Sequence, residues 1–250
     1  HSKKIVSLVQ PNFPALNKPN SNSWYLPYSV GCLWSYAVTS KTVRENFELG
    51  NIIYRRDDIE TTAVKLAKAD VVAFSSYLWN GNYNYALAQR VKELNPTVLV
   101  IFGGPQVPVN KKDLFVKYPF IDLVAVQEGE MSFCRILEKF GLSYDDIPGL
   151  LINKDTMVVS TGDPVRIENL EILPSPYLTG VFDDIMRDNP TAEWNVVLES
   201  NRGCPFQCTF CDWGSLTYNK VKQFNIDRTV AEIEWISKKN VDTVFLADAN

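Results

Sequence analysis

Apolar residues fall in short continuous runs separated by stretches with helical spacing. Lys4-Ile-Val-Ser-Leu-Val9, Ile52-Ile-Tyr54, Val71-Val-Ala-Phe74, Val98-Leu-Val-Ile-Phe102 and Leu123-Val-Ala-Val126 read as strands. Helices are predicted between them. The first covers 27–41, with Val30, Leu33, Trp34, Ala37 and Val38 on one stripe. The next covers 59–69, with Asp57 or Asp58 as its N-cap. Further helices are predicted over 85–94, ended by Asn95-Pro96, over 113–117 and over 130–140. Strands without polar alternation are buried on both faces, so this pattern predicts a doubly wound parallel α/β sheet. Such sheets bind ligands beyond the carboxyl ends of their strands.

Gly149 to Ser160 reads as a β-hairpin turning at Asn153 to Thr156. Residues 162–194 carry Pro164, Pro174, Pro176 and Pro190 with little periodicity and read as an ordered linker. A new βαβ unit starts with the strand Asn195-Val-Val-Leu-Glu199. It continues with an amphipathic helix over 227–239 and ends with the strand Thr243-Val-Phe-Leu-Ala247. The expected division is 1–141, 142–194 and 195–250. Two strands and one helix cannot bury a core. The last unit is therefore expected to be the front of something larger, or to borrow strands from elsewhere.

Composition narrows the function classes. The 250-residue chain is 46% hydrophobic and 22% charged, as expected of an ordinary globular protein. Its net charge of −4, without Lys/Arg blocks, argues against nucleic acid as partner. No apolar run reaches membrane-spanning length, and the start His-Ser-Lys-Lys has no signal-peptide core. Five cysteines make no disulfide framework, and the predicted compartment is the reducing cytoplasm. Cys32 and Cys134 fit helical core positions.

The other three cysteines lie together in Cys204-Pro-Phe-Gln-Cys208-Thr-Phe-Cys211, just past a strand. Three thiolates at Cx3Cx2C spacing suit an iron–sulfur cluster with one iron left without a protein ligand. Structural zinc needs four ligands. The chain has a single histidine, His1, and no second cysteine pair.

This loop resembles that of the radical S-adenosylmethionine (SAM) enzymes. The resemblance implies a [4Fe–4S] cluster on Cys204, Cys208 and Cys211, SAM on the open iron, and Phe210 against the adenine. Core packing is the alternative role for Phe210. Where the family carries a Gly-Gly-Glu-like segment, this chain has Ala247-Asp248-Ala249-Asn250. Asp248 and Asn250 are then candidate acceptors for the SAM ammonium, or ordinary turn residues at a strand end.

The first domain resembles the Rossmann-like cobalamin-binding domain of the cobalamin-dependent radical SAM enzymes. Five segments carry the resemblance: Val9-Gln-Pro-Asn12, Tyr25-Leu-Pro-Tyr28, Ser75-Ser-Tyr-Leu-Trp-Asn80, Gly103-Gly-Pro-Gln106 and Gln127-Glu-Gly-Glu130. It implies a corrin site built from Gln10, Pro11, Asn12, Ser75, Tyr77, Leu78, Trp79, Asn80, Gly103, Gly104, Pro105, Gln106, Glu128 and Gly129. Polar side chains among them would meet amide arms, the glycines would let backbone approach the ligand, and Tyr77 and Trp79 would offer flat faces. Asp-x-His-x-x-Gly, whose histidine ligates cobalt in many cobalamin domains, is missing. Cobalamin would therefore carry no protein His ligand, its lower face capped by Trp79, Tyr77, Leu78 or water. Other tenants fit less well. Gly-x-Gly-x-x-Gly is absent, a phospho-receiver Asp is replaced by Ser75 and Ser76, and the extra cysteines of methylthiotransferases are lacking.

The resemblance implies a methyltransferase acting on an unactivated carbon of a small-molecule or peptide-derived substrate. A 5′-deoxyadenosyl radical would take hydrogen and methylcobalamin would give the methyl. An electron donor such as flavodoxin or ferredoxin is the implied partner. The alternatives are a rearrangement or ring contraction on the same cofactors, or a non-catalytic iron–sulfur or corrin-binding module. No catalytic acid or base is identified.

Overall fold

The computed structural model describes residues 2–12, 22–110, 112–206, 208–210 and 220–248. The first sheet contains β1 (Lys4–Asn12), β3 (Phe47–Arg55), β4 (Val71–Ser75), β5 (Leu99–Gly103), β6 (Leu123–Ala125), β7 (Leu150–Lys154) and β8 (Met157–Ser160). Its order is β3-β1-β4-β5-β6-β7-β8. The first five strands run parallel, and β7 and β8 are antiparallel additions. Helices α1 (Tyr28–Ala37), α2 (Lys41–Asn46), α3 (Ile59–Leu66), α4 (Gly81–Leu94), α5 (Leu114–Lys117) and α6 (Glu130–Glu138) connect them.

The apolar runs split by parity, as a sheet buried on both faces requires. Val71, Ala73 and Ile101 pack with Val30 and Trp34 of α1 and Phe133 and Leu137 of α6. Val72, Phe74, Val100 and Phe102 pack on the other face with Ala63 and Leu66 of α3 and Leu87 and Val91 of α4. Asp58 is the N-cap of α3 and accepts from the Thr61 amide at 2.8 Å. The β7–β8 turn places Asp155 and Thr156 at φ 52° and 70°, the left-handed pair of a tight hairpin. The hairpin expected to open the linker thus extends the first sheet.

Two strands are longer than their sequence signal. β1 continues through Pro11 to Asn12, so the segment read as a loop after strand one is the strand's own end. Pro11 sits at one of two places where pairing with β3 loses register, where a missing N–H is tolerated. β3 begins at Phe47, and its polar first half is half-exposed edge.

The second sheet has the order β12-β9-β2, from β12 (Val241–Leu246), β9 (Glu193–Leu198) and β2 (Ser23–Tyr25). All are parallel. The βαβ unit does borrow a strand, and it comes from before α1. Asn195, 1% exposed, ties it in by donating from Nδ2 to the Ser23 hydroxyl at 3.0 Å. Trp194, Val196 and Leu198 pack with Tyr28 and Cys32 of α1, with Tyr177 and Phe182 of the linker, and with Ile236. Ile236 belongs to α8 (Ile226–Ser237), capped by Asn225. A short helix, α7 (Asp183–Asp188), closes the linker. Among the described residues no helix is long and apolar enough to cross a membrane.

Candidate functional site

Strand order reverses between β1 and β4, where the chain goes first to one side of the sheet and then to the other. A crevice opens at such a point because the two neighbouring loops diverge. The end of β1 and the loop 75–80 form its walls. Their contact is built by Asn80, which is fully buried. Its Nδ2 donates to the Pro11 and Ser75 carbonyls, each at 3.1 Å, and its Oδ1 accepts from the Tyr77 amide at 2.8 Å. Trp79 Nε1 donates to Asn12 Oδ1 at 2.8 Å, and the Trp79 and Tyr77 rings stack with centroids 4.7 Å apart. Tyr77 Oη and the Ser29 hydroxyl share a hydrogen bond of 2.6 Å. What remains open to solvent is apolar: Leu78 is 80% exposed and Trp79 42%.

Several residues expected to meet a ligand are committed elsewhere. Gln10 is buried, accepting from the Val30 amide at 3.1 Å and donating to Ser29 at 3.4 Å, so it anchors the start of α1. Asn80 and Asn12 hold the loops together. Gly104 has φ 96°, and a Cβ there would lie 2.5 Å from the Ser76 carbonyl oxygen. The close approach it permits is between two loops of the protein, and the same contact carries the Gln106 amide to Ser76 at 3.1 Å. Gly103 is under no such demand, since its nearest neighbour would be 3.5 Å away. Ser75 is buried beneath the crevice. Pro105 and Gln106 are exposed. Gln106 and Leu78 also line a cleft of about 280 Å³ with Tyr85, Lys117 and Tyr118.

Glu128 and Gly129 lie after β6, where Gln127 reverses the chain with a left-handed φ of 64°. Glu128 does not face a crevice. Its Oε2 accepts from the Ile167 amide at 2.9 Å, and its Oε1 takes Arg202 at 3.2 Å. Gly129 packs against Leu33, 3.2 Å from where its Cβ would be.

The cysteine loop leaves the second sheet after β9 through a small antiparallel clasp, β10 (Asn201–Arg202) with β11 (Lys222–Gln223). Gly203 follows with φ 107°. Cys204 is half-buried, Cys208 is exposed, and both are free thiols. Phe206 and Phe210 are 59% and 90% exposed, so Phe210 is not a core residue. Cys211 and Asn250 lie outside the described residues. Asp248 is turned inward. Its Oδ1 accepts from the Ser200 amide at 2.8 Å and the Asn201 amide at 3.2 Å, and its Oδ2 accepts from the Ser200 hydroxyl. These three bonds fix the root of the cysteine loop.

The residue that sequence reading passed over is Arg202. Its guanidinium contacts Glu128 at 3.2 Å, Glu130 at 2.8 Å and Glu199 at 3.1 Å, with side-chain exposures of 17% for Arg202 and 16%, 7% and 18% for the acids. Tyr28 donates to Glu199 at 3.2 Å. Burial pushes the Glu199 carboxyl above its ordinary value. The Glu130 charge pushes the same way, against the pull of Arg202. An arginine two residues before three clustered cysteines was visible, but two of its three acidic partners, Glu128 and Glu130, lie more than 70 positions away.

Residues 41–137 match the family model described as the B12 binding domain. The chain is 33% identical over 231 residues to the cobalamin-dependent radical SAM methyltransferase TokK of Streptomyces tokunonensis, covering 90% of this chain and 34% of that protein. The chain belongs to the cobalamin-dependent radical SAM family. The 2-(S-pantetheinyl)-carbapenam-3-carboxylate methyltransferase of Streptantibioticus cattleyicolor is similar to the same degree, 33% over 231 residues, with 90% and 34% covered. The chain thus spans about a third of the length of these relatives. The radical S-adenosylmethionine methyltransferase TsrM of Kitasatospora setae, solved with cobalamin and a [4Fe–4S] cluster bound, shares the fold of this family member. Its TM-score is 0.71 at 16% identity, over 100% of this chain and 48% of that one.

Proposed function

We propose that this chain is the cofactor-bearing part of a cobalamin-dependent radical SAM methyltransferase that methylates an unactivated carbon of a small molecule. The observation that carries this reading is that the strand-end loops of the two sheets meet. Arg202, at the root of the cysteine loop, is ion-paired to Glu128 and Glu130, which follow the last parallel strand of the first sheet.

The residues fit the groups implied. Accessible thiols at Cys204 and Cys208 suit a soft iron site, with Cys211 as the third ligand. Leu78 and Trp79 put apolar surface over the crevice, as a flat macrocycle needs, while Asn80 and Gly104 hold the loop that carries them. Bound together, the cluster and SAM supply a hydrogen-abstracting radical and cobalamin supplies the methyl group. The chain's own part is positional. The Trp79–Tyr77 stack presents one broad face, and Asn12 fixes its tilt through the indole N–H. Phe206 and Phe210 offer exposed aromatic surface beside the thiolates. Asp248 holds the strand end from which the cysteine loop departs.

Free Cys32, Cys134, Cys204 and Cys208 support a reducing, cytoplasmic setting. A small-molecule substrate follows from the named relatives, and a flavodoxin- or ferredoxin-type donor from the need for single electrons. The test is anaerobic loading of the full-length protein with iron, sulfide and cobalamin, followed by a SAM cleavage assay. Formation of 5′-deoxyadenosine with a product heavier by one methylene supports the reading. Cleavage without that mass gain favours rearrangement, and bound metal without cleavage favours a binding module. The Co(II) EPR spectrum is expected to show no nitrogen coupling from a histidine of residues 2–250, which contain none.

A further inference from the structure

We infer that Arg202 is a positioning residue that sets the cysteine loop against the B12-binding domain, so that the spacing of the two cofactors is fixed by one ion cluster. The inference rests on the proposed function for its cofactors, but its geometry is that of the chain alone.

Five groups converge on this point from four elements. Arg202 in β10 uses separate nitrogens for each acid. Nη1 goes to Glu128, Nη2 to Glu130, and Nε to both oxygens of Glu199, each at 3.1 Å. Glu130 opens α6, Glu128 lies in the loop before it, Glu199 follows β9, and Tyr28 opens α1. The Arg202 guanidinium also lies 5.8 Å from the centre of the Phe224 ring. A planar fork with several donors can satisfy three carboxylates at once, whereas an ammonium on a flexible stem would leave at least one poorly met.

The other arm of the clasp is bolted down as well. Lys222 in β11 pairs with Glu168 and donates to the Ile167 carbonyl at 3.2 Å. Arg228 donates to the Leu173 carbonyl at 2.6 Å and lies 3.9 Å from the centre of the Phe224 ring. The Ile167 amide in turn donates to Glu128. Both stems of the cysteine loop therefore end on the same acid-lined seat beside β6. Fold stability alone does not account for such an arrangement. Apolar residues of similar volume often replace a buried ion cluster at no cost, and the better attested use of such a cluster is to select one register.

The test compares wild type, Arg202→Met and Arg202→Lys in the full-length protein loaded with iron, sulfide and cobalamin. The readouts are cofactor content, the cluster-to-cobalt distance distribution by pulsed EPR, and product formed per 5′-deoxyadenosine. Arg202→Met is expected to keep both cofactors, broaden the distance distribution, and lower product per deoxyadenosine by about tenfold or more, since misplacement of about 1 Å costs up to about a hundredfold. Arg202→Lys should recover part of both. A distribution and product ratio equal to wild type in a fully loaded Arg202→Met protein would overturn the inference. So would a Lys variant no better than the Met variant. If Arg202→Met does not fold, Glu128→Gln and Glu130→Gln each remove one charge at constant shape. Broadening in either supports the inference, and wild-type behaviour in both refutes it. If the wild type takes up neither cofactor, the proposed function fails, and hydrogen exchange on the unloaded protein decides the inference separately. Amides over 199–203 and 128–130 should lose protection together in Arg202→Lys, and independent exchange would overturn the coupling.

Discussion

The loops over the first sheet and the loop that carries the cysteines stand at equivalent strand ends but are held in opposite ways. The first set is held along its length. Asn80, Asn12, Gly104 and the Tyr77–Ser29 contact join one loop to the next, so little freedom remains above the sheet. The cysteine loop is held at its stem, by Asp248, by the clasp and by Arg202, while Cys208, Phe206 and Phe210 face solvent. The first arrangement is preorganised by the chain and should change little when its ligand arrives. The second leaves Cys208, Phe206 and Phe210 exposed, so any burial of them has to come from a bound group.

The largest effect that separates the two regions is expected from the Cys204→Ala, Cys208→Ala, Cys211→Ala triple variant. Iron content and 5′-deoxyadenosine should fall to background, while cobalamin uptake stays within about twofold of wild type because the crevice does not depend on the loop. Loss of cobalamin in step with iron would break the comparison. Gly104→Ala acts on the other side. A Cβ 2.5 Å from a backbone oxygen at φ 96° should cost about 3 kcal/mol in urea unfolding. Cobalamin retention should weaken with it, and iron loading should be spared. Asn80→Ala takes the Asn80 bond from the Pro11 carbonyl and the Tyr77 amide and leaves the Ser75 carbonyl with Asn84 alone among side-chain donors, at about 2 kcal/mol, with the same selectivity.

The smallest effect concerns pH. Because burial raises the Glu199 carboxyl, the stability it contributes is present below its unfolded value and lost as pH rises through its folded value. Glu199→Gln should flatten the stability profile above the ordinary carboxylate range, the smallest of these effects. An unchanged slope in chemical denaturation series would show that Arg202 keeps the carboxylate fully charged.

Much of the first sheet was legible because its strands are uninterrupted apolar runs, and parity sorts Val71 and Ala73 from Val72 and Phe74 onto opposite faces. Helix α3 was legible through its Asp58 cap. β2 was not. Three residues, Ser23-Trp-Tyr25, are too few to show a period, and their partner strand starts at Glu193. The segments expected to meet a corrin were picked out by their place at strand ends, but the division of labour among their side chains was not legible. Nothing local says that Asn80 is buried while Leu78 beside it is 80% exposed. The cysteines announced themselves by spacing. Arg202 did not, because a charge in a loop is read as solvated until the acids that surround it are known.

Helix α1 serves as a party wall. Val30, Trp34 and Ala37 belong to the first core, Tyr28 and Cys32 to the core of the second sheet, and at Gly31 an added Cβ would lie 2.4 Å from the Phe182 ring. β2, immediately before it, is already a strand of the second sheet. The B12-binding domain and the unit that carries the cysteines therefore cannot be exchanged as cassettes. A B12-binding domain grafted from a relative would bring the wrong wall with it, so lineages that diversify this architecture should inherit the two halves together and vary elsewhere.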